Sequence, residues 1–321
     1  MAPTILVAGA TGNTGRSVVQ TLSQLLQANS NPQNYRVLAL TRSSSSGVAQ
    51  QLARLPHVEV AELNWVDASA EWLRQHGVAR AFIAPHNQPD HLAHESAFHL
   101  AARDAGLEYV VRISTTAANV RPDCPAYYPR SHWAVEALLS SPEFESLPWT
   151  SLQPNVFSTF YLGAAAEFVK SYEHARRTGE PQQGDTTLRL MAAEDVGAGI
   201  VEADDVGALA AHLLAERDPA RHNRAKYVVN GPEDITGRQI VDMVEERIGA
   251  PVPKVSYKDA SLADLMAAQS PEPKSIILSI KHAMDTNWAG KCKASTTSRE
   301  VLEIAAPKTT PAESFKALLQ G

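Results

Sequence analysis

Several features that would mark particular classes of protein are scarce in this sequence. Only two of the 321 residues are cysteines, Cys124 and Cys292, which excludes the disulfide framework of a small secreted protein. No apolar run comes near the roughly 18 residues of a membrane-spanning helix, and the amino terminus lacks a signal-peptide pattern. We therefore expect a cytoplasmic protein that does not bind membranes.

Positive charge is also in short supply. Lys and Arg number 29 against 35 Asp and Glu, which gives a formal net charge of −6 at pH 7. Sequence-independent binding to nucleic acid needs clustered cations that replace phosphate counterions, so we expect no nucleic-acid partner. The 44% hydrophobic and 20% charged residues are typical of a globular protein with a sizeable core.

The first half of the chain alternates short β-rich runs with helical stretches. This is the pattern of a Rossmann-type α/β fold, a doubly wound parallel sheet with helices on both faces. The β-rich runs are apolar throughout, so the strands should be buried. We place them at residues 4–8, 35–41, 58–63, 81–84, 109–113 and 150–153.

Beyond Pro154 the alternation is less regular and predicts a smaller, discontinuous carboxy-terminal lobe. Residues 156–186 and 231–321 should form this substrate-binding lobe, whereas 187–230 should rejoin the Rossmann domain of residues 1–155. We predict helices at 157–171, 204–215, 236–248 and 261–281, strands at 187–190 and 226–229 that could rejoin the first sheet, and a loop at 179–184.

A glycine-spaced turn after the first strand is the most informative motif. It reads Gly-Ala-Thr-Gly-Asn-Thr-Gly over residues 9–15 and leads from a strand into a helix. The three glycines permit a tight turn, close approach of a pyrophosphate and close helix packing, while the helix amino terminus presents N–H groups to the anion. The motif predicts a dinucleotide bound by Gly9, Thr11, Gly12, Asn13, Thr14 and Gly15.

The first two strands contain no carboxylate, because the first acidic residue in the chain is Glu59. A site selective for NAD places an Asp or Glu after the second strand to accept the ribose hydroxyls. Here Arg42 follows that strand, with the hydroxyls of Ser43 and Ser44 beside it, and its guanidinium can pair with a 2′-phosphate. These residues predict NADP(H) as the cofactor.

Lysine is absent before Lys170, so the cofactor domain cannot contain the Tyr-x-x-x-Lys pair that makes a phenol a usable acid. The nearest substitute is Tyr128 with His132, four residues later. Pro129 should push Tyr128 out of helical geometry. We therefore expect His132, in its neutral form, to contribute more to cofactor positioning and hydride transfer than Tyr128 contributes as a proton donor.

Polar residues directly beyond the strand ends should face the ligand crevice, because the carboxyl ends of parallel strands meet along one edge of the sheet. Ser114 is a candidate for holding a substrate carbonyl or the nicotinamide ribose; the alternative is that its hydroxyl satisfies backbone groups at the strand end. The further cofactor candidates after strands four, five and six are Pro85, His86, Thr115, Asn155 and Phe157.

One helical stretch carries three histidines and a glutamate, His91, His94, Glu95 and His99. The last two histidines lie five residues apart rather than the four of a His-Glu-x-x-His zinc helix. We therefore expect no metal here and a solvated helix face. Asp204 and Asp205 are better explained as a helix start than as a catalytic carboxylate pair.

Five further segments follow one another in a characteristic order. They are Arg-Ile-Ser-Thr-Thr at 112–116, His-Trp-Ala-Val-Glu at 132–136, Leu-Pro-Trp-Thr-Ser-Leu-Gln-Pro at 147–154, Ala-Asp-Asp-Val-Gly at 203–207 and Asn-Gly-Pro-Glu at 230–233. With the glycine turn and Arg42, they make the chain resemble the NmrA-like atypical short-chain dehydrogenase/reductases. The resemblance implies a substrate cleft between two lobes. It also implies that Asn64 and Trp65 lie near the adenine. Many relatives carry an Asp at the position of Asn64.

That family includes NADPH-dependent reductases of quinones and small carbonyls, nucleotide-binding regulators and fungal biosynthetic proteins. We predict an NADP(H)-dependent oxidoreductase that transfers a hydride to or from a small, fairly apolar carbonyl, imine or quinone, in a fungal member acting in secondary metabolism. One alternative is an NADP(H)-binding redox sensor that reports to a protein partner without turnover. Another is a biosynthetic enzyme that couples cofactor redox to a cyclisation.

Overall fold

The computed structural model describes residues 2–28, 34–179 and 186–320. Its strands are β1 (Thr4–Ala8), β2 (Arg36–Thr41), β3 (Val58–Glu62), β4 (Val78–Ile83), β5 (Tyr109–Ile113), β6 (Trp149–Pro154), β7 (Leu188–Arg189), β8 (Ala225–Val229) and β9 (Val255–Ser256). Its α-helices are α1 (Asn13–Ala28), α2 (Gly47–Leu52), α3 (Ala70–Gln75), α4 (His91–Ala105), α5 (Tyr127–Leu139), α6 (Ser158–Thr178), α7 (Ala203–Ala215), α8 (Gly237–Ile248), α9 (Leu262–Gln269), α10 (Lys274–Leu278), α11 (Asp285–Trp288), α12 (Arg299–Ala305) and α13 (Pro311–Gln320). Of the predicted loop 179–184, all but Gly179 lies outside the described residues.

Seven strands form one parallel sheet in the order β3-β2-β1-β4-β5-β6-β8. The direction of winding reverses between β1 and β4, and such a switch point opens a crevice at the carboxyl ends of the strands. The predicted Rossmann-type doubly wound sheet is therefore confirmed. The strand predicted at 226–229 joins it as β8, which pairs with β6.

Two predictions for the second half of the chain are wrong. The strand at 187–190 does not rejoin the large sheet, because β7 pairs with β9 in a separate two-stranded sheet. The helix at 261–281 is broken: α9 ends before Pro271, and α10 begins after Pro273. A proline ring has no N–H to donate and clashes with the preceding turn, so neither proline fits a helix interior.

The core consists of apolar layers on both faces of the sheet and a third cluster in the carboxy-terminal lobe. Val7 packs toward α1 and α7, while its neighbour Leu6 points to the other face, toward α4 and α5. The third cluster joins α6, α8 and α13. The prediction that the strands are buried and apolar throughout is wrong in two respects. Arg112 in β5 and Ser151 in β6 are polar and fully buried. The edge strand β3 contains no buried residue.

The start of α7 ties distant parts of the chain together. Asp204 and Asp205 lie in its first turn, which confirms the predicted helix start. The Asp205 carboxylate accepts hydrogen bonds from the backbone N–H groups of Lys308 (3.2 Å) and Thr309 (3.0 Å). The carboxy-terminal segment is thereby fixed against the helix that packs on α1.

Among helices in the described ranges, none combines the length and apolarity that a bilayer crossing needs.

Candidate active site

The turn between β1 and α1 has the geometry that its glycines predict. Gly9 adopts a φ of +76°, and the Gly12 N–H donates to the Gly9 carbonyl at 2.9 Å. A Cβ on Gly15 would lie 2.2 Å from the same carbonyl oxygen, so only glycine allows α1 to start this close to the turn. Asn13 at the start of α1 is exposed and borders a large cavity.

This cavity, of about 950 Å³, opens at the carboxyl ends of β4, β5 and β6. It brings together the predicted site residues Asn13, Thr14, Pro85, Ser114, Thr115, Tyr128, His132, Asn155 and Phe157. The opposite wall belongs to the carboxy-terminal lobe and is mainly apolar, with Phe160, Met191, Leu262, Met266, Ile277 and Met284. Except for Phe160, whose place after β6 suits a pocket wall, these side chains come from short segments without a motif that the sequence could signal.

The other predicted cofactor residues lie outside the cavity wall: Gly9, Thr11, Gly12, Gly15, Arg42, Ser43, Asn64, Trp65 and His86. The Thr11 hydroxyl lies 3.4 Å from that of Thr41, which places the glycine turn beside the end of β2. Arg42 is exposed, and its side chain makes no hydrogen bond or ion pair with any other described residue. Ser43 is exposed as well, with its hydroxyl 3.0 Å from that of Ser45.

The sequence predicts that the Ser44 hydroxyl is available to a 2′-phosphate, but in the structure this hydroxyl is bound to Glu62. The Ser44 N–H and O–H both donate to one carboxylate oxygen of Glu62, at 2.8 and 2.7 Å. The carboxylate comes from the end of β3, the strand beside β2. An acidic group is therefore present at the edge where the first two strands lack one.

Asn64 and Trp65, predicted near the adenine, follow β3. Asn64 is exposed, and the Trp65 ring packs against His86 with 5.8 Å between the ring centroids. His86 in turn places its Nε2 3.0 Å from His94 Nδ1. These aromatic rings form a wall beyond the ends of β3 and β4.

Tyr128 is the second residue of α5, so the prediction that Pro129 disconnects it from helical geometry is wrong. Pro129 occupies the third position, where the backbone N–H has no partner within the helix, and the missing donor costs no hydrogen bond. Burial raises the pKa of Tyr128 to about 12. The hydroxyl therefore stays protonated at neutral pH and can donate a hydrogen bond into the cavity.

Ser114 presents a buried hydroxyl to the cavity without a partner. Its side chain is 5% exposed, and its Oγ forms no hydrogen bond within the described part of the chain. The strand-end alternative does not apply to this hydroxyl; it is the Ser114 backbone N–H that continues the sheet by donating to the Leu152 carbonyl. A buried hydroxyl that lacks a partner costs free energy, which a bound ligand can restore.

Asn155 borders the cavity, but its amide group is engaged inside the protein. The Asn155 Nδ2 donates to the carbonyls of Gly199 (3.0 Å) and Cys292 (2.9 Å), and its Oδ1 accepts from the Val156 N–H. These bonds connect the end of β6 to the carboxy-terminal lobe. They use all the hydrogen-bonding groups of the amide to hold the end of β6 against these two backbone segments.

His132 belongs to a buried polar network centred on Arg112. The Arg112 Nε and Nη2 donate to the two carboxylate oxygens of Glu95 at 2.6 and 2.9 Å, and Nη2 also donates to His132 Nδ1 at 2.9 Å. A guanidinium can only donate, so His132 Nδ1 is an acceptor and its proton resides on Nε2. The Nε2–H then donates to Asn87 Oδ1, 3.1 Å away, at the cavity wall.

The sequence predicts that four residues of α4 form a solvated face, and this prediction is wrong for all of them except His94. His91, Glu95 and His99 are fully buried, and both histidines hydrogen-bond to the Glu95 carboxylate. The signal that could have revealed this network is Arg112, a charged residue inside an otherwise apolar strand, which requires a buried partner. His91, Glu95 and His132 lie close enough together to hold a metal ion. However, Glu95 and His132 accept hydrogen bonds from Arg112. The positive charge of this guanidinium disfavours a metal cation at the same place.

This geometry predicts the protonation state of His132. Burial and the adjacent Arg112 charge lower the pKa of His132 well below its ordinary value of 6.5, because protonation would direct a second donor at the guanidinium. We expect nitrogen NMR of histidine-labelled protein to show a neutral imidazole, protonated on Nε2, as the pH falls through 6.5. The resonance is identified by its loss in His132→Gln. An imidazolium signal from His132 at or above pH 6.5 would contradict the assignment.

Comparisons with known proteins agree with this architecture. A sequence profile of the NmrA-like family matches residues 1–307. An NAD(P)H azoreductase from Xenophilus azovorans is 25% identical over 248 residues, which are 77% of this chain and 75% of that protein.

Two solved structures share the fold over nearly their whole length. An NADPH-dependent quinone oxidoreductase from Escherichia coli, complexed with NADPH, has a TM-score of 0.71 at 21% identity, covering 98% of this chain and 99% of that one. A Citrobacter triphenylmethane reductase, complexed with NADP(H), has a TM-score of 0.68 at 22% identity, covering 98% and 100%. With the family profile spanning almost all of the sequence, we conclude that this chain belongs to the NmrA-like family.

Proposed function

We propose that this protein is an NADP(H)-dependent reductase of a small, fairly apolar organic molecule. The observation that carries the proposal is a continuous cavity that runs from the amino terminus of α1 to an apolar wall, with the unsatisfied Ser114 hydroxyl on the sheet side. Such a cavity can hold a dinucleotide and an organic substrate in contact. The azoreductase, quinone reductase and triphenylmethane reductase relatives support the same assignment.

The glycine turn and the N–H groups at the start of α1 would hold the pyrophosphate. Arg42 and Ser43 would bind the 2′-phosphate, and Asn64, Trp65 and His86 would border the adenine. Thr115 and Phe157, which line the cavity, would border the nicotinamide. The cofactor supplies the hydride.

The side chains of this chain orient the reactants and stabilise charge. Ser114 and Tyr128 would donate hydrogen bonds to a polar atom of the substrate, and the apolar lobe wall would limit the access of water to it. His132 acts through Asn87, whose side chain it holds at the wall. Because His132 is neutral and bound to Arg112, we assign it a positioning role rather than that of a proton donor.

The substrate class follows from the lobe wall. Three methionines, Met191, Met266 and Met284, line it, and their flexible thioethers adapt to aromatic surfaces of different shape. Quinones, azo compounds and triphenylmethane dyes are substrates of this kind. The division into a cofactor domain of residues 1–155 and a substrate lobe of 156–186 and 231–321 belongs to the same proposal, with residues 187–192 added to the lobe because β7 pairs with β9. Fungal secondary metabolism, a coupled cyclisation and a cytoplasmic location stay predictions.

The binding test compares NADPH with NADH by titration calorimetry. A charge-assisted contact between Arg42 and the 2′-phosphate is worth roughly 1.5 to 3 kcal/mol, so Arg42→Ala should weaken NADPH binding by about 10- to 150-fold and leave NADH binding nearly unchanged. Arg54→Ala, which removes another exposed arginine, is the matched control and should change neither affinity. Failure of the unaltered protein to bind either dinucleotide would contradict the proposed function.

The turnover test separates the reductase from the regulator that binds cofactor without reaction. The unaltered protein is mixed with NADPH and, in turn, a quinone, an azo dye and a triphenylmethane dye, and loss of the reduced nicotinamide absorbance is followed. We expect oxidation that depends on at least one of these substrates. Tight NADPH binding with no oxidation by any apolar acceptor would favour the regulator.

A further inference from the structure

The edge of the sheet beyond β2 contains an acidic side chain that belongs to another strand. In the parallel ladder between β2 and β3, Thr41 pairs with Glu62, so both strands end at the same level. The loop that carries Arg42 continues directly from Thr41. Glu62 is therefore beside the loop that, in the proposed function, receives the 2′-phosphate.

Glu62 is bound to this loop by two hydrogen bonds. One of its carboxylate oxygens accepts from the N–H and from the O–H of Ser44, at 2.8 and 2.7 Å. These donors hold the pKa of Glu62 below its ordinary value of 4.5, so the carboxylate is charged at neutral pH. The carboxylate occupies two donors that would otherwise be available to a phosphate.

Arg42 does not neutralise this charge. Its side chain forms no ion pair with any residue in the described ranges, and both groups are exposed. The same loop thus presents a cation that favours a 2′-phosphate and an anion that opposes it. A carboxylate at this edge can also accept a hydrogen bond from a 2′-hydroxyl, which only NAD(H) has.

We infer that Glu62 is a specificity-determining residue that supplies, from β3, the carboxylate missing after β2 and so lets the protein use NADH as well as NADPH. The inference rests on the proposed function. Arg42 stabilises the 2′-phosphate of NADPH, and Glu62 repels it while accepting from the 2′-hydroxyl of NADH. The discrimination between the two cofactors is therefore smaller than Arg42 alone would produce.

The test is Glu62→Gln, which removes the charge and keeps an amide oxygen that can accept from the Ser44 N–H. A carboxylate a few ångströms from a phosphate of about −2 charge at an exposed site weakens binding by about fivefold to tenfold, so NADPH affinity should rise by that factor. NADH affinity should fall by about threefold. Both are measured by calorimetry, and the gain for NADPH should shrink in about 1 M salt, where the Debye length is about 3 Å.

Two control variants make the outcome specific. Glu59→Gln removes an exposed carboxylate at the opposite end of β3, where it pairs with Arg36, and should leave the ratio of the two affinities unchanged. Ser44→Ala removes one loop contact and keeps the charge, so it should leave the ratio within about twofold.

The inference is overturned if Glu62→Gln moves the ratio of affinities by less than about twofold, or if Ser44→Ala moves it as far as Glu62→Gln does. The latter result would mean that Glu62 acts only by holding the loop. If the unaltered protein binds neither dinucleotide, the proposed function fails instead. Thermal unfolding of each variant confirms that the proteins compared are folded.

Discussion

Replacing Arg112 by Met should lower the free energy of unfolding by about 3 to 5 kcal/mol, the usual cost of leaving a buried charge without its partner. The Glu95 carboxylate has no exposed surface and receives two hydrogen bonds from Arg112. Burial alone would raise the pKa of Glu95, but the Arg112 charge holds it well below the ordinary value of 4.5. Denaturant unfolding at neutral pH measures the loss.

The pH dependence of this loss provides an independent check. In the unaltered protein the stabilising contribution of Glu95 is present above pH 4.5 and decreases as the pH falls below it, because the folded pKa is depressed. In Arg112→Met the carboxyl group is buried without a cation, so its folded pKa should rise above 4.5. The difference in stability between the two proteins should therefore shrink as the pH is lowered.

Two controls distinguish an unpaired charge from general damage to the core. The double variant Glu95→Leu/Arg112→Met replaces both charges with apolar groups and should recover at least half of the loss. Arg299→Met breaks the exposed ion pair with Glu303 and should cost about 1 kcal/mol or less. Equal destabilisation of the single and double core variants would contradict the interpretation.

Gly15→Ala should abolish measurable NADPH binding and lower the free energy of unfolding by about 1 to 3 kcal/mol. The added Cβ would lie 2.2 Å from the Gly9 carbonyl oxygen and 2.8 Å from its carbon. Both are backbone atoms of the turn, so α1 must move away and its N–H groups leave the pyrophosphate position. Calorimetry and denaturant unfolding measure the two effects.

Gly163→Ala is the matched control for this change. Gly163 lies inside α6, and a Cβ there would have no heavy atom within 4 Å other than those of its chain neighbours and the helix's own backbone. Alanine is the better helix former, so this variant should gain about 0.5 to 1 kcal/mol in stability and retain cofactor binding. If Gly15→Ala behaves as Gly163→Ala does, the close contact with Gly9 is not what the turn requires.

The sequence identifies features that depend on neighbours along the chain. The bounds of β1 and β5 agree with their predicted ranges, because a buried strand is a local apolar run ended by turn residues. The arrangement of the glycine turn follows from its spacing. Ser114 lines the predicted crevice, because residues directly after parallel strands collect at one edge of the sheet. His132 reaches the same cavity from α5.

The failures of prediction concern partners that only the folded sheet brings together. Glu62 is eighteen residues from Ser44 in sequence, yet the pairing of β2 with β3 places its carboxylate on the same loop. Counting acidic residues along the first two strands cannot detect it. Glu95 likewise lies in a helix whose sequence contains many polar residues. Its hydrogen bond to Arg112 on β5 shows that the side of α4 that carries Glu95 is buried.

The pairing of β8 with β6 has a consequence for how the protein is made. During synthesis the outer edge of β6 has no partner until residues 225–229 have left the ribosome, since β8 is made only after α6 and α7. Parallel pairing across such a sequence separation forms slowly, and an open strand edge attracts other chains. A nascent chain thus presents this open edge while the segment between these two strands is being translated, and a chaperone that binds then would cover it.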